Sequence, residues 1–350
     1  KMEKGKNPLS LQLDVSDFLP ADNEEKQSLV VMRQSVSFWR DGLRRFRKNK
    51  IAMTSLVIII LTMIFAFIGP VFYPYTYEQQ IRGSENLAPM QYSETELALK
   101  AQGEKVFPHI LGTDSLGRDT MVRLMMGSRV SLLVGIVASV LVLLIGSIYG
   151  AVAGYFGGKV DLIMMRIVDI IYTVPDILII ILLMVTLKYP LENLANTVPG
   201  FAWINTIGVG LICIFIVFSL LYWVGMARIV RSQILMLKEQ EFVTAAKALG
   251  ASHRRIIRKH LLTNCMGTLI VTTTLQIPSS IFTESFLSFI GIGVAAPMPS
   301  LGSMASQAIN GISSYPYRLL APAIMISLII LSFNLIGDGL RDAFDPKLKD

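Results

Sequence analysis

A phosphate-binding loop is the first chemistry to look for, because its glycines and lysine can be recognised in a single sequence. Such a loop has the spacing G-x-x-x-x-G-K-[ST], in which backbone N–H groups and the lysine hold phosphates. The nearest stretch, AGYFGGKV at residues 153–160, has Gly158 and Lys159 but lacks the first glycine and the Ser or Thr. It is better explained as a tight turn between two apolar segments. The sequence therefore predicts no nucleotide-binding motif in this chain.

The sequence also lacks the residues that a metal site or a catalytic nucleophile would need. The three histidines, His109, His253 and His260, do not stand at metal-ligand spacing from one another or from Cys213 and Cys265. The sequence has no nucleophile elbow, and no Ser-His-Asp set can be argued from it. We therefore predict no catalytic residue, no metal site and no cofactor bound by this chain.

Two rows of polar side chains interrupt apolar segments at helical spacing. They are Asp169, Thr173 and Asp176 in one segment, and Gln276, Ser280 and Glu284 in a later one. Arg166 stands three residues before Asp169 and can pair with it. Polar groups inside a membrane either hydrogen-bond across helices or line a path for a solute, and both interpretations stay open. Glu284 is the strongest candidate for the path, because its own segment offers no basic partner.

Apolar helices must position these residues. The chain is 53% hydrophobic and 16% charged, whereas a soluble domain carries about 25% charge. The net charge of +7 lies in clusters beside apolar runs, which argues against a nucleic-acid partner. The composition predicts an all-α, multi-pass membrane protein. Six spans are expected, at residues 51–73, 130–154, 162–187, 203–225, 266–290 and 318–338.

The Lys and Arg residues predict the orientation of these spans. They crowd before the first span and in the loop at residues 226–264, so both termini are predicted to be cytoplasmic. The predicted order is a flexible cytoplasmic segment (1–37), a basic interfacial helix (38–50), the first span with a long outer segment (51–128), a core that contains the basic loop (129–338) and a cytoplasmic tail (339–350).

The polar, basic stretch at residues 238–264 is the part of the chain that lipid does not explain. Its apolar positions, Phe242, Ala245 or Ala246, and Leu249, recur at helical spacing, and Gly250 is suited to end the helix. A short helix with a small alanine-rich face suits docking into a groove on a partner protein. A basic helical hairpin lying on anionic lipid accounts for the same residues equally well.

This stretch resembles a loop of known permeases. EFVTAAKALGAS (241–252) followed by IIRKHLLTN (256–264) is similar to the cytoplasmic EAA loop of permease subunits of ATP-binding-cassette (ABC) importers. The triplet here is Thr244-Ala245-Ala246, with Thr in place of Glu and with Gly250 in register. Thr263 stands where the family usually has Pro, which leaves the sharp end of the second helix unexplained.

Further blocks extend the resemblance over most of residues 38–350. They are FRKNKIAM (46–53), LGTDSLGRDTMVRLMMGSRVSLLVG (111–135), GYFGGKVDLIMMRIVDIIYTVPD (154–176), TESFLSFIGIGVAAPMPSLGSMA (283–305) and GDGLRDAFDPKL (337–348). In this order they resemble the C-type permease subunits of dipeptide, oligopeptide and nickel importers, with the oligopeptide members most similar.

The resemblance implies a type I ABC importer permease fold in a bacterial cytoplasmic membrane. It implies a second, homologous permease subunit, two cytoplasmic ATPase subunits that hold ATP and Mg, an external binding protein and a peptide substrate. The coupling helix that rests on an ATPase would comprise Glu241, Phe242, Thr244, Ala245, Ala246, Leu249 and Gly250.

Some alternatives stay open at this point. Dipeptides or nickel fit the same motifs as oligopeptides. An ion-coupled transporter is the competing class, although it would need matching broken helices in two repeated halves, and no convincing repeat is visible. Gly117, Arg118 and Asp119 form either part of an outer surface for the binding protein or only a hydrogen-bonded turn.

Overall fold

The computed structural model describes residues 37–344 of the chain, and this part is helical. Within it the only extended pairing is an isolated bridge between Thr113 and Asp119. The chain divides into two units, residues 1–41 and 42–350, and the packing described below lies within the second. The predictions for residues 1–36 and 345–350 lie outside the described residues.

Sixteen helices follow one another along the described chain. They are α1 Phe38–Lys48, α2 Lys50–Phe67, α3 Gly69–Phe72, α4 Glu94–Ala101, α5 Thr120–Phe156, α6 Gly158–Thr173, α7 Asp176–Thr197, α8 Trp203–Ile207, α9 Val209–Leu221, α10 Trp223–Leu237, α11 Glu241–Ala248, α12 His253–Arg255, α13 Leu262–Asn264, α14 Met266–Phe289, α15 Leu301–Ile309 and α16 Tyr317–Phe344. A 3-10 turn at Pro199–Phe201 precedes α8, and a π-helix at Ile256–Leu261 joins α12 to α13.

Five of these helical stretches are long and apolar enough to cross a membrane: α2, α5, α7, the consecutive pair α9 and α10, and α16. A sixth is present if the segments His253–Asn264 and Met266–Phe289, which meet at a bend of 69°, count as one span. The prediction of an all-α protein with about six spans is therefore confirmed.

The predicted third span, residues 162–187, is wrong in its bounds. Helix α6 ends at Thr173, and Val174 and Pro175 are not helical before α7 begins at Asp176. Pro175 causes the break, because it lacks an N–H and its ring disfavours a helical conformation at Val174. The span is α7. Helix α5 also begins ten residues before the predicted second span, and α16 runs on to Phe344.

Helix α5 lies at the centre of the bundle. Its side chains share one buried cluster with α2, α14 and α16, which includes Leu132, Ile281 and Ile329. A second cluster joins α5 to α7 and α9 through Ala138, Ile180 and other buried apolar residues. A 37-residue helix is about 55 Å long, so α5 reaches from one end of the bundle to the other.

The contact between α5 and α10 depends on small residues. Gly146, Gly150 and Gly154 stand four residues apart on α5 and face α10. A Cβ atom on Gly150 would lie 2.3 Å from the carbonyl oxygen of Ala227. Glycines at this spacing allow two membrane helices to approach backbone to backbone.

The polar segments gather at two ends of the bundle. The cap end comprises residues 74–119 and 301–318, which are joined by the hydrogen bond from Arg318 Nη1 to Asn86 Oδ1, 2.8 Å long. The loop end comprises residues 156–161 and 238–264, where Tyr155 and His253 are hydrogen-bonded at 2.8 Å. Segments predicted to share a side of the membrane therefore lie together. Which side each end faces stays a prediction.

Candidate functional site

Helix α11 at the loop end is a separate short helix with a defined stop. Glu241 in its first turn and Lys247 in its last turn complement the helix dipole. Gly250 has φ of +75°, its N–H donates to the Lys247 carbonyl at 2.9 Å, and the Ala251 N–H donates to the Ala246 carbonyl at 3.0 Å. This is a Schellman motif, so the prediction that Gly250 ends the helix is confirmed.

The two sides of α11 differ in what they contact. Val243, which is 0% exposed, and Ala246 pack in one buried cluster with Ile256 and Leu261 of the π-helix. Next to this buried face, Phe242 and Ala245 of α11 and its C-cap residue Leu249 are exposed, Leu249 at 88%. We call these three residues the apolar row. Among the described residues, Phe242 is partly covered, at 40% exposure, and Leu249 is almost fully open.

The predicted coupling residues therefore do not share one face. Glu241, Phe242, Thr244, Ala245, Leu249 and Gly250 are exposed, and Ala246 is buried. The sequence left Ala245 and Ala246 as alternatives for the apolar face, and the structure selects Ala245. A substitution at Ala246 would disturb the packing of α11 on the bundle before it disturbed any surface.

Thr263 lies in the bent segment that follows α11. Its hydroxyl donates to the Arg258 carbonyl, five residues earlier, at 3.3 Å. The expected sharp end is replaced by the π-helix and by the 69° bend before α14. The chain thus changes direction here without a proline at position 263.

A basic concavity lies beside this segment. It is lined by Ser252, Arg254, Arg255, Arg258, Lys259 and Thr263 and encloses about 530 Å³. Its arginines and lysine are suited to anionic lipid or to acidic side chains of a partner. The loop end therefore presents a basic surface and the apolar row.

The first row of predicted path residues is split by the helix break. Asp169 is on α6, and its partner is Arg228 of α10 at 2.9 Å, not the expected Arg166. The Thr173 hydroxyl donates to the Asp169 carbonyl at 2.7 Å. Asp176 begins α7, so the prediction that it shares one helical face with Asp169 is wrong.

The second row lies on α14 and also divides. Gln276 lines a cavity of about 670 Å³ together with Thr268, Thr272, Ser279 and other residues of α14, α10 and α16. Ser280 and Glu284 are both 0% exposed and lie inside the bundle.

Glu284 is surrounded by serine hydroxyls. Ser131 of α5 donates to its carboxylate at 2.8 Å, and Ser288 donates at 2.7 Å. The Ser285 hydroxyl lies at 3.3 Å. The bond from Ser131 joins α5 to α14, which is the helix–helix role that the sequence left open. Whether Glu284 also contributes to a path stays a prediction.

Gly117, Arg118 and Asp119 form a hydrogen-bonded turn that starts α5. The Asp114 carboxylate accepts the Arg118 N–H at 3.0 Å and the Arg118 Nε–H at 2.7 Å. Gly117 has φ of +69°, and a Cβ on it would lie 2.3 Å from the Ile81 carbonyl oxygen. Asp119 caps α5 by accepting the Val122 N–H at 2.9 Å. This geometry favours the structural interpretation of the motif.

Asp119 also belongs to a buried cluster that the sequence did not reveal. His109, 0% exposed, places Nδ1 2.7 Å from Asp119 Oδ2 and Nε2 3.0 Å from Glu96 Oε1. When the imidazole is protonated, each ring nitrogen donates to one of the two carboxylates. The Tyr73 hydroxyl donates to Asp119 Oδ2 at 3.2 Å, and the Tyr75 ring stacks on the imidazole with centroids 4.5 Å apart.

The carboxylates control the protonation of His109. Burial alone would lower its pKa, but the hydrogen bonds to Asp119 and Glu96 outweigh burial and raise the pKa above 6.5. Glu96 is itself fixed by the capping box of α4, in which its carboxylate accepts the Ser93 N–H at 2.8 Å. The cluster therefore ties α4, the start of α5 and the segment after α3 to one ring. Local spacing gives no signal for it, because Asp119 and Glu96 lie 10 and 13 residues from His109, at the starts of two different helices.

Comparison with known proteins agrees with this architecture. Residues 146–350 match the family described as "Binding-protein-dependent transport system inner membrane component", and residues 37–89 match the "N-terminal TM domain of oligopeptide transport permease C". The oligopeptide transport system permease protein OppC of Bacillus subtilis is 42% identical over 95% of this chain and 97% of its own length. The dipeptide transport system permease protein DppC of the same organism is 43% identical over 93% of this chain and 92% of its own length.

A solved structure shows the same fold. A chain of the inward-facing MetNI methionine ABC transporter superposes with a TM-score of 0.50 and 18% identity, covering 65% of this chain and 98% of its own. The helix bundle thus has the fold of a type I ABC importer permease. The chain belongs to the family of binding-protein-dependent transport system inner membrane components, as a multi-pass permease subunit.

Proposed function

We propose that this chain forms half of a translocation path for oligopeptides in an ATP-driven importer. A second, homologous permease subunit forms the other half, and an external binding protein delivers the peptide at the cap end. Two ATPase subunits at the loop end hold ATP and Mg²⁺ and carry out hydrolysis. Rocking of the spans between two states would then expose the path to each side in turn.

The observation that carries this proposal is the apolar row on α11. Phe242 and Ala245 lie on α11 and Leu249 is its C-cap, and the helix is anchored to the bundle by Val243 and Ala246. An exposed apolar face on an anchored helix is suited to a groove on another protein. A movement of the partner would reach α5 through the Tyr155–His253 contact.

Cysteine crosslinking tests the docking of α11. Ala245→Cys, in membranes that contain the whole transporter, should crosslink to an ATPase subunit. Glu94→Cys is the matched control, because Glu94 is exposed on an eight-residue helix at the cap end. Labelling of Ala245→Cys by lipid probes alone would instead favour a helix lying on the membrane surface.

Reconstitution tests the importer itself. Proteoliposomes with both permease subunits, both ATPases and the binding protein should accumulate a labelled pentapeptide only when ATP is supplied on the ATPase side. Movement of the solute by this chain without ATPases would contradict the proposal and would favour an ion-coupled transporter.

Dipeptides are the second candidate substrate. The 43% identity to a dipeptide permease is as high as the 42% identity to an oligopeptide permease, so identity does not separate the two. Uptake of a dipeptide and a pentapeptide in the same proteoliposomes, each with its own binding protein, would decide between them.

A further inference from the structure

A half-enclosed cavity at the cap end concentrates positive charge. It holds about 300 Å³ and is lined by residues that include Asn86, Asp114, Arg123, Gln307, Tyr315 and Arg318. These residues come from the segment after α3, the start of α5, α15 and the start of α16. The cavity is separate from the surfaces of α14 and α11 discussed above.

Both arginines of the lining are buried and only partly hydrogen-bonded. Arg123 is 2% exposed and Arg318 is 8% exposed. Arg123 donates from Nη2 to Gln307 Oε1 at 2.9 Å, and Arg318 donates from Nη1 to Asn86 Oδ1 at 2.8 Å. Arg123 Nη1 and Arg318 Nε and Nη2 make no hydrogen bond to any described residue.

The charges near the cavity do not cancel. Asp114 is the one acidic residue in its lining, and it already accepts from Arg118 at 2.7 Å and lies 3.6 Å from Arg123 Nε. Arg318 lies over the Tyr315 ring at 4.2 Å, and its Nε and Nη2 atoms are buried without a hydrogen-bond partner among the described residues. A buried guanidinium with unmade hydrogen bonds is costly, and a planar carboxylate satisfies two of its N–H groups at once.

We propose that this cavity receives the carboxylate of an acidic side chain on the external binding protein. The inference rests on the proposed function, since the family name itself requires a binding protein and the cap end is the end assigned to it. An inserted Asp or Glu would offer a carboxylate to the two arginines that line the cavity, Arg123 and Arg318. It would also fix the docked protein against α5, α15 and α16 at one point.

Binding measurements on the whole transporter test this inference. The four-subunit complex in nanodiscs is titrated with its peptide-loaded binding protein, and the Kd is compared between unmodified complex, Arg318→Gln and Arg123→Gln. Each substitution should weaken binding about 30-fold, as expected when one partner of a buried charge pair is removed. Arg82→Gln is the matched control, because Arg82 is an exposed arginine of the cap end outside the cavity, and it should change the Kd less than about twofold.

A second measurement needs no variant that might fail to assemble. Sodium acetate should weaken binding to the unmodified complex more than sodium chloride does at equal ionic strength. Equal effects of the two salts, or equal Kd values for Arg318→Gln and Arg82→Gln, would overturn the inference.

Two further outcomes would also overturn the docking assignment. If acetate raises the unfolding temperature of the complex only when Arg318 is present, but the Kd for the binding protein is unchanged in Arg318→Gln, the cavity binds a free anion. If binding is unchanged but the two permease subunits separate in Arg318→Gln, the carboxylate comes from the second permease subunit. In either case ATP-driven uptake by the unmodified complex would leave the proposed function intact.

Discussion

The cap end and the loop end differ in whether their polar groups are buried and bonded or exposed. At the cap end, His109, Asp119 and Glu96 are buried and bonded to one another. At the loop end, the arginines of the basic concavity and the apolar row are exposed. The difference indicates that the polar groups of the cap end largely satisfy one another, whereas the α11 surface is left open, as the proposed docking of an ATPase requires. The arginine cavity is the exception at the cap end.

The largest expected effect comes from breaking the buried cluster. Asp119→Ala removes the cap of α5 and leaves protonated His109 with one carboxylate, which should destabilise the protein by about 3–5 kcal/mol. The shift of the thermal unfolding midpoint in detergent measures it. Glu104→Ala, an exposed acidic residue of the same end, should stay within about 0.5 kcal/mol. Equal shifts of the unfolding midpoint in the two variants would mean that the buried cluster does not stabilise the cap end more than its exposed residues do.

A substitution in the apolar row should have the opposite signature. Leu249→Asp should leave the unfolding midpoint unchanged, because Leu249 contributes to no buried cluster. It should instead weaken binding of the ATPase subunits to the permease. The affinity should be about 30-fold lower if Leu249 is a central contact of that interface. Retention of ATPase subunits during purification measures this. Leu97→Asp is the control, as Leu97 is 52% exposed on a helix of the cap end. Full retention with Leu249→Asp would argue against docking through the apolar row.

The pH dependence of stability should report on the cap end through His109. The folded pKa of His109 lies above its unfolded value of 6.5. Its contribution is therefore fully present below pH 6.5 and is lost as the pH rises through the folded pKa. Each unit of raised pKa corresponds to about 1.4 kcal/mol.

Unfolding midpoints between pH 5 and 9 measure this loss. His109→Gln should flatten the profile. A profile that does not change in His109→Gln would mean that the imidazole is not the group that titrates.

The smallest effect is expected between the two ends, on α14. Glu284→Gln keeps a polar group among the same serine hydroxyls and should change peptide uptake less than about twofold, since the side chain is sealed within the bundle. Gln276→Ala alters the wall of an open cavity and should change the KM for uptake more. A larger change with Glu284→Gln would place the path against Glu284 after all.

Features with a local cause were predictable from the sequence. Apolar length gave the number of spans, and the stop at Gly250 followed from its place after a short helical pattern. The span predicted at residues 162–187 ran through Pro175, whereas in the structure Pro175 separates two helices.

The remaining features depend on tertiary contacts. Helical spacing could not decide between Ala245 and Ala246, because the two sides of α11 are distinguished only by what packs behind it. His109 contacts Glu96 and Asp119 because the segment between α4 and α5 folds back and brings them together. Arg123 and Arg318 line one cavity although they are separated by most of the core. The periodicity of the sequence does not predict such contacts between distant residues.

Helix α5 gives the two ends a mechanical relation. It starts at the cap of Asp119 and ends beside the Tyr155–His253 contact, with the glycine face of its second half seated on α10. Over a length of about 55 Å, a tilt of about 5° around its midpoint displaces its ends by about 2 Å in opposite directions. Such a tilt would couple the two ends. A displacement of α11 at the loop end would move α4 and the His109 cluster at the cap end in the opposite direction.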